Sequence, residues 1–245
     1  MNKINCRIIS INTNKNTDFE SVQLIGTAKD VDGKKLRYKR RRENIENYFS
    51  NFNNESINFE FFDAVTPSSF SPDLTKDCLS DSVIYNGQKF ELSKELWICY
   101  IGNFLSHFQI WNIDEDTLVL EDDVLLEDRF FEKIPMVIES FKKIQEPNKL
   151  LYLQVSAPWR EDAMEKQFNL INVNENISRF MGGDISGTAA YFITKECKKI
   201  ILNNLRPISP CDNYLDILMR MGIINYYLPN EKSYMCKLDT KTFLL

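Results

Sequence analysis

Three consecutive carboxylates, Glu121, Asp122 and Asp123, end the apolar run Thr117-Leu118-Val119-Leu120, and a second apolar run, Val124-Leu125-Leu126, follows at once. Runs this short and this rich in Leu and Val suit a buried strand. Burying three ionised carboxylates at its end is costly unless cations compensate them. The triplet therefore belongs at the C-terminal edge of a strand, where open α/β sheets bind their ligands. Hard oxygen donors crowded there suit Mg²⁺ or Mn²⁺, above all an ion shared with substrate phosphates. An acidic turn between two strands is the plainer reading of the same residues, and the rest of the chain must discriminate.

Other reactive side chains are few. The chain of 245 residues has one His, His107, so a Ser-His-Asp or Cys-His enzyme would have to use it, and no GxSxG elbow accompanies it. Six cysteines, at 6, 78, 99, 197, 211 and 236, form no CxxC pair. A structural zinc would need four Cys or His ligands together, and free thiols are the expectation here. Arg37, Arg40, Arg41 and Arg42 form a basic cluster of the kind seen in nucleic-acid patches, with a solvated helix face as the alternative. A net charge of −5 argues against a dedicated nucleic-acid binder. With 43% hydrophobic and 27% charged residues, the composition is that of an ordinary globular protein with a sizeable core.

The elements that would position these groups alternate in type. Arg7 to Asn12 reads as a buried strand, Asn12 to Asn16 as loop, Val22 to Gly26 as a short strand, and Asp30 to Lys35 as a turn around Gly33. From Arg37 to Phe52 the pattern is helical, with Ile45, Tyr48, Phe49 and Phe52 on one stripe. Phe59 to Val65 is a second strand, and the polar stretch Thr66 to Lys89 resembles a lid-like loop. Ser93 to Asn112 is a long helix with Ser93 as N-cap and an apolar stripe from Trp97 to Trp111. Further on, Phe130–Lys143, Lys195–Asn203 and Tyr214–Met221 read as helices, and Leu150–Val155, Gly187–Ile193 and Asn225–Leu228 as strands. Such alternation implies an α/β fold with a largely parallel central sheet flanked by helices. No apolar run approaches the ~18 residues of a membrane-spanning helix, and the first residues have no signal-peptide core. The chain therefore reads as cytoplasmic, with peripheral attachment to a membrane left open.

Four segments, in this order, resemble glycosyltransferase family 25, which includes lipooligosaccharide galactosyl- and glucosyltransferases and collagen hydroxylysine galactosyltransferases. They are Ile8–Asn12 with the Arg cluster and Phe61-Phe62-Asp63-Ala64-Val65; Ile101-Gly102-Asn103-Phe104-Leu105-Ser106-His107; Leu118 to Val124; and Gly187 to Ile193 with Asp212 beyond. The Leu-Ser-His helix just before an apolar Glu-Asp-Asp strand is the most specific of these. The chain differs from the usual family pattern at Cys99, Tyr100 and Asn103, and in a longer, more polar segment from Thr13 to Leu36.

The resemblance implies one domain over residues 1–245 with the Rossmann-like glycosyltransferase fold called GT-A, residues 1–125 forming the donor half and 126–245 the acceptor half. It implies inverting transfer of galactose or glucose from UDP-galactose or UDP-glucose to a glycan or a hydroxylysine-type protein side chain. Charge would build on the departing UDP, and Mn²⁺ or Mg²⁺ would stabilise it. The family's acid-x-acid pair falls on Glu121 and Asp123, which share one side of an extended segment. Asp123 is assigned to the metal; Glu121 meets the metal, a metal-bound water or the ribose; Asp122 joins either group. Asn12 is placed at the uridine, and one Arg of the cluster, with Arg40 as its representative, at the diphosphate in bidentate pairing. His107 either contacts the donor or braces the acidic strand, a buried core histidine being the plainer reading. Inversion needs a general base. Asp212 is the first choice and Asp184 the second, and each also reads as a helix cap or turn residue. Trp159 and Phe180 either stack on a sugar or pack in the core. A metal-dependent phosphohydrolase and a non-catalytic nucleotide-sugar-binding or glycan-binding homologue are the alternatives.

Overall fold

The computed structural model describes residues 3–14, 17–20, 30–51, 56–72, 82–93, 98–127, 129–154, 169–182, 187–205, 207–230 and 236–238. The expected strand Val22 to Gly26 lies outside them, as do Cys78, Trp97, Trp159 and Asp184. Eight strands form the central sheet: β1 (Ile4–Ser10), β2 (Ile57–Asp63), β6 (Thr117–Glu121), β8 (Lys149–Tyr152), β9 (Asn169–Asn172), β10 (Ile177–Gly182), β11 (Ala190–Ile193) and β12 (Asn225–Pro229). Their order is β2-β1-β6-β11-β8-β12-β10-β9. β1 is parallel to β2 and β6, and β8 to β12, while β11 and β10 are antiparallel to both of their neighbours. Six of the eight strands thus point one way, the largely parallel arrangement that the alternation implied.

Alternate residues of each central strand feed two cores. On one face Val119, Tyr191, Tyr152 and Tyr226 pack against α2 (Ile98–Trp111), α4 (Lys195–Asn203) and α5 (Cys211–Arg220). On the other, Leu118, Leu120, Phe192 and Tyr227 pack with Ile45 and Phe49 of α1 (Val31–Asn51) and with Phe130, Ile134 and Phe141 of α3 (Phe130–Lys142). Each fully buried side chain of this size contributes roughly 1.5–3 kcal/mol of transfer free energy. The result is a helix-sheet-helix sandwich in which the central strands are buried on both sides, as their unbroken apolar character requires.

Several boundaries differ from the sequence reading. Residues 30–35 do not form a turn; α1 begins at Val31. The Asp30 carboxylate accepts from Gly33 N at 2.7 Å, which satisfies an otherwise orphaned first-turn donor and offsets the poor helix propensity of Gly. The 66–89 stretch is not only loop. It holds a 3₁₀ turn at Pro67–Ser69, β3 (Ser71–Pro72) and a hairpin of β4 (Ser82–Tyr85) and β5 (Gln88–Glu91) closed by Asn86-Gly87, both with positive φ. Ser93 does not cap a described helix; its N–H donates to Ile208 O at 2.8 Å, and α2 is described from Ile98. β7 (Val124–Leu126) pairs with β13 (Cys236–Leu238) beside the main sheet. The five described cysteines are free thiols, as expected.

Candidate active site

β1, β2 and β6 end at one edge of the sheet, and the acid triplet sits there. Glu121 N donates to Ala189 O and Asp122 N to Ile9 O, so the turn into β7 is tied to both neighbouring strands. The triplet borders a cavity of about 140 Å³, closed by Ser10 of β1, Tyr38 and Arg41 of α1, the segment Ala64–Pro67, and Cys99, Gly102 and Asn103 of α2.

α2 positions the site through two adjacent pairs of residues spaced i, i+4. Gly102 and Ser106 face the chain leaving β2: the Ser106 hydroxyl accepts from Val65 N at 2.9 Å and donates to Gly102 O at 2.7 Å. A Cβ on Gly102 would lie 2.6 Å from Val65 O, so only Gly allows this approach. Asn103 and His107 face Glu121, donating or lying within hydrogen-bond distance at 3.1 Å each. Thr188 Oγ1 donates to the same oxygen, Oε1, at 3.1 Å. Burial alone would raise the Glu121 carboxyl, but His107, Asn103 and Thr188 outweigh it and hold the group below its ordinary value.

Asp122 and Asp123 live under different conditions. Arg41 reaches Asp122 Oδ1 and Asp123 Oδ2 at 3.5 Å each, longer than a strong charge-assisted bond. Burial raises the Asp122 carboxyl despite Arg41. At Asp123, burial together with repulsion from Glu121 and Asp122 prevails over Arg41, and the carboxyl is pushed up to about 7. The Oδ1 atom of Asp123 is buried with no hydrogen-bond partner among the described residues. Two buried carboxylates with an oxygen to spare fit a hard divalent cation that takes its remaining ligands from water and a diphosphate. They do not make an all-protein cage: among the described residues no three His, Cys, Asp or Glu side chains are gathered to hold an ion.

The basic cluster divides by helical phase. Arg37 and Arg41, one turn apart, point inward beside Tyr38, and both are buried. Arg40 is exposed and does not line the acid cavity, whereas Arg41 does. Arg42 lies over the Phe61 ring at 3.8 Å and bonds Glu46. Asn12 does not line the acid cavity; its amide donates to Asp63 at 3.1 Å, and it borders an adjoining polar cavity of about 340 Å³ with Thr17, Ser68 and Gln109. Segment Ala64–Thr66 walls both cavities.

Asp212, in the first turn of α5, accepts from Gly187 N at 3.0 Å and from Asn213 N at 2.8 Å. Gly187 adjoins Thr188, so Asp212 is joined through two residues to Glu121 Oε1. Gly187 has φ +90°, and a Cβ there would meet Gln154 Nε2 at 2.2 Å. Gln154 in turn accepts from Ala189 N. Phe180 is buried against Tyr226 in the core, which excludes the stacking role considered for it. Trp111 and Gln154 entered no sequence reading of the site, and Thr188 and Tyr191 entered only within the segment Gly187 to Ile193, with no role. Their partners stand at separations of 35 to 84 residues, and no local pattern reports such contacts.

The family model described as Glycosyltransferase family 25 (LPS biosynthesis protein) matches residues 36–219. Procollagen galactosyltransferase 2 of Mus musculus is 31% identical over 155 residues, covering 58% of this chain and 22% of that protein. A Glycosyltransferase 25 family member of Aedes aegypti is 26% identical over 190 residues, covering 75% of this chain and 30% of that protein. The chain thus spans no more than about a third of the length of these relatives. Among solved structures, UDP-glucose pyrophosphorylase complexed with UDP-glucose overlaps it with a TM-score of 0.42 at 11% identity, over 100% of this chain and 96% of that one.

Proposed function

The chain belongs to glycosyltransferase family 25, and we propose that it transfers galactose or glucose from a UDP-sugar, with inversion, to a glycan or a hydroxylated protein side chain. The observation that carries this reading is the cavity in which Asp122, Asp123 and the buried Arg41 meet at the C-terminal edge of parallel strands. Arg41 is suited to hold a diphosphate, since a planar guanidinium can turn from two distant carboxylates to phosphate oxygens. Asp123, with Asp122 in place of the expected Glu121 because three donors already occupy Glu121 Oε1, would hold Mn²⁺ or Mg²⁺, which when bound offsets the charge that accumulates on the departing diphosphate. The polar cavity beside Asn12 and Asp63 would take the nucleoside.

In the transfer, the acceptor oxygen forms its bond to the anomeric carbon as the bond from that carbon to the β-phosphate oxygen breaks. The acceptor proton goes to a carboxylate, and UDP leaves with the electron pair. Asp212 is the proposed base. Its two oxygens are held by backbone donors yet keep lone pairs free, and its link through Gly187 and Thr188 brings it to the acid end of β6. Asp184 is second in rank. Hexose transfer is tested by incubating the chain with UDP-galactose and UDP-glucose in Mn²⁺ and following UDP release with and without a glycan acceptor. Selective release from one donor is expected. No release from either, together with phosphate release from simple monoesters, overturns the reading.

A further inference from the structure

Behind Glu121 lies a line of buried polar side chains that the proposed transfer does not yet use. Trp111 Nε1 lies 3.1 Å from the Tyr191 hydroxyl, which lies 2.9 Å from His107 Nδ1, and His107 Nε2 lies 3.1 Å from Glu121 Oε1. Trp111 and Tyr191 are each 1% exposed and His107 is fully buried. The direction of every bond can be worked out. An indole N–H only donates, so the Tyr191 oxygen accepts from Trp111. Asn103 and Thr188 also donate to Oε1, so this oxygen acts as an acceptor, and His107 must carry a proton on Nε2. A proton on Nδ1 would leave the Tyr191 O–H with no acceptor among the described residues, a costly state at this burial. Only the neutral ring protonated on Nε2 pairs every atom: Trp111 to Tyr191, Tyr191 to His107, His107 to Glu121. Oε1 then has three donors, and Oε2 takes none among the described residues while Glu121 borders the cavity.

The geometry assigns Trp111, Tyr191 and His107 a positioning role: they lock one oxygen of Glu121 so that the other accepts a hydroxyl of the nucleotide-sugar. This rests on the reading of the cavity as a nucleotide-sugar site. The hydroxyl belongs to the ribose or to the hexose, and the two sources separate by ligand. Tyr191 and His107 are positioning residues, since they touch Glu121 or its partner and not the cavity.

Two measurements test it. The chain has a single His, so nitrogen-15 spectra of histidine-labelled protein read its tautomer without assignment. The wild-type ring should carry a proton on Nε2 and none on Nδ1, and Tyr191→Phe, which removes the donor to Nδ1, should move the Nδ1 resonance while the Nε2 proton stays; a proton on Nδ1 in the wild type, or an unmoved Nδ1 resonance in Tyr191→Phe, overturns the relay. Calorimetry with UDP and with UDP-galactose in Mn²⁺ gives the second. His107→Gln places an N–H near the position of Nε2 and should bind close to wild type, while His107→Asn should weaken binding by about tenfold or more, as expected when a charged acceptor loses a donor. Loss with both ligands points to the ribose, and loss with UDP-galactose alone to the hexose. Equal binding by the two His107 variants overturns the positioning role while the donor site stands. If the wild type binds neither nucleotide, the proposed function fails and the hydroxyl contact with it.

Discussion

β6 buries charge at both of its ends. At the N-terminal end, the Lys198 ammonium is 1% exposed and donates to Thr117 Oγ1 at 2.7 Å and Ile113 O at 3.2 Å. At the C-terminal end, Asp122 and Asp123 face Arg41 at 3.5 Å, and Asp123 Oδ1 has no partner among the described residues. Both ends are electrostatically expensive. Burial lowers Lys198 to about 8 and, with its acidic neighbours, raises Asp123 to about 7. The lysine is fully enclosed and hydrogen-bonded to neutral oxygens, which is a structural solution. The aspartates border a cavity and keep an acceptor to spare, which leaves their cost to be offset by something that binds. A perturbed ionisable group therefore marks a site only where open space and an unmet valence accompany it.

The two ends of β6 cease to differ in kind if Asp123 is dispensable. Asp123→Ala should reduce transfer by on the order of 10³-fold, comparable with the loss of a principal electrostatic stabiliser, while circular dichroism shows a retained fold. EDTA should produce the same loss reversibly. Full activity of the variant in EDTA would remove both the carboxylate and the cation from the mechanism. Asp212→Asn comes next. It should retain UDP binding and lose roughly 10²–10⁴-fold in transfer, the range for a positioned general base. If Asp184→Asn is instead the inactive variant, the two roles exchange and Asp212 is a cap of α5.

Smaller effects separate the architecture from the chemistry. Gly187→Ala puts a methyl into Gln154 at a φ of +90° and should cost about 1–3 kcal/mol in urea unfolding, with transfer falling as Thr188 and the Asp212 contact shift. Unchanged stability would mean that Gln154 moves aside freely. Lys198 gives the smallest and purely structural signal. Its pKa is lowered in the folded chain, so above about pH 8 the folded state sheds a proton that the unfolded chain keeps until about 10.5. Stability should therefore rise with pH across that window through this group, with a slope of at most about 1.4 kcal/mol per pH unit. Lys198→Met should flatten the rise relative to wild type and leave donor binding intact. Parallel curves for the two proteins would show that the ammonium is better solvated than its burial implies.

Much of the site was legible in sequence because its carriers are strongly patterned. The apolar run into Glu121 is too short for a helix and too apolar for a loop, and the stripe of α2 places Leu105 and Phe104 inward without ambiguity. What could not be read depends on how one element sits against another. That Arg41 borders the cavity and Arg40 does not follows from the rotation of α1 on the sheet, and four clustered candidates do not encode that rotation. β9 is exposed along its length and β13 has three residues, so neither leaves a hydrophobic period to detect. The hairpin turn at Asn86-Gly87 is different: its dipeptide is a recognised signal and Val83-Ile84-Tyr85 precede it, but the strands on either side are only four residues long.

Gly102 has a wider consequence than the space it saves. With no room for a methyl group between α2 and Val65 O, helix and chain exit are in backbone contact, and one turn of the same helix also grips Glu121 through Asn103 and His107. The wall shared by the two cavities and the carboxylate at the end of β6 are therefore bolted to one beam, so their relative position is set when α2 docks on the sheet, before any ligand arrives.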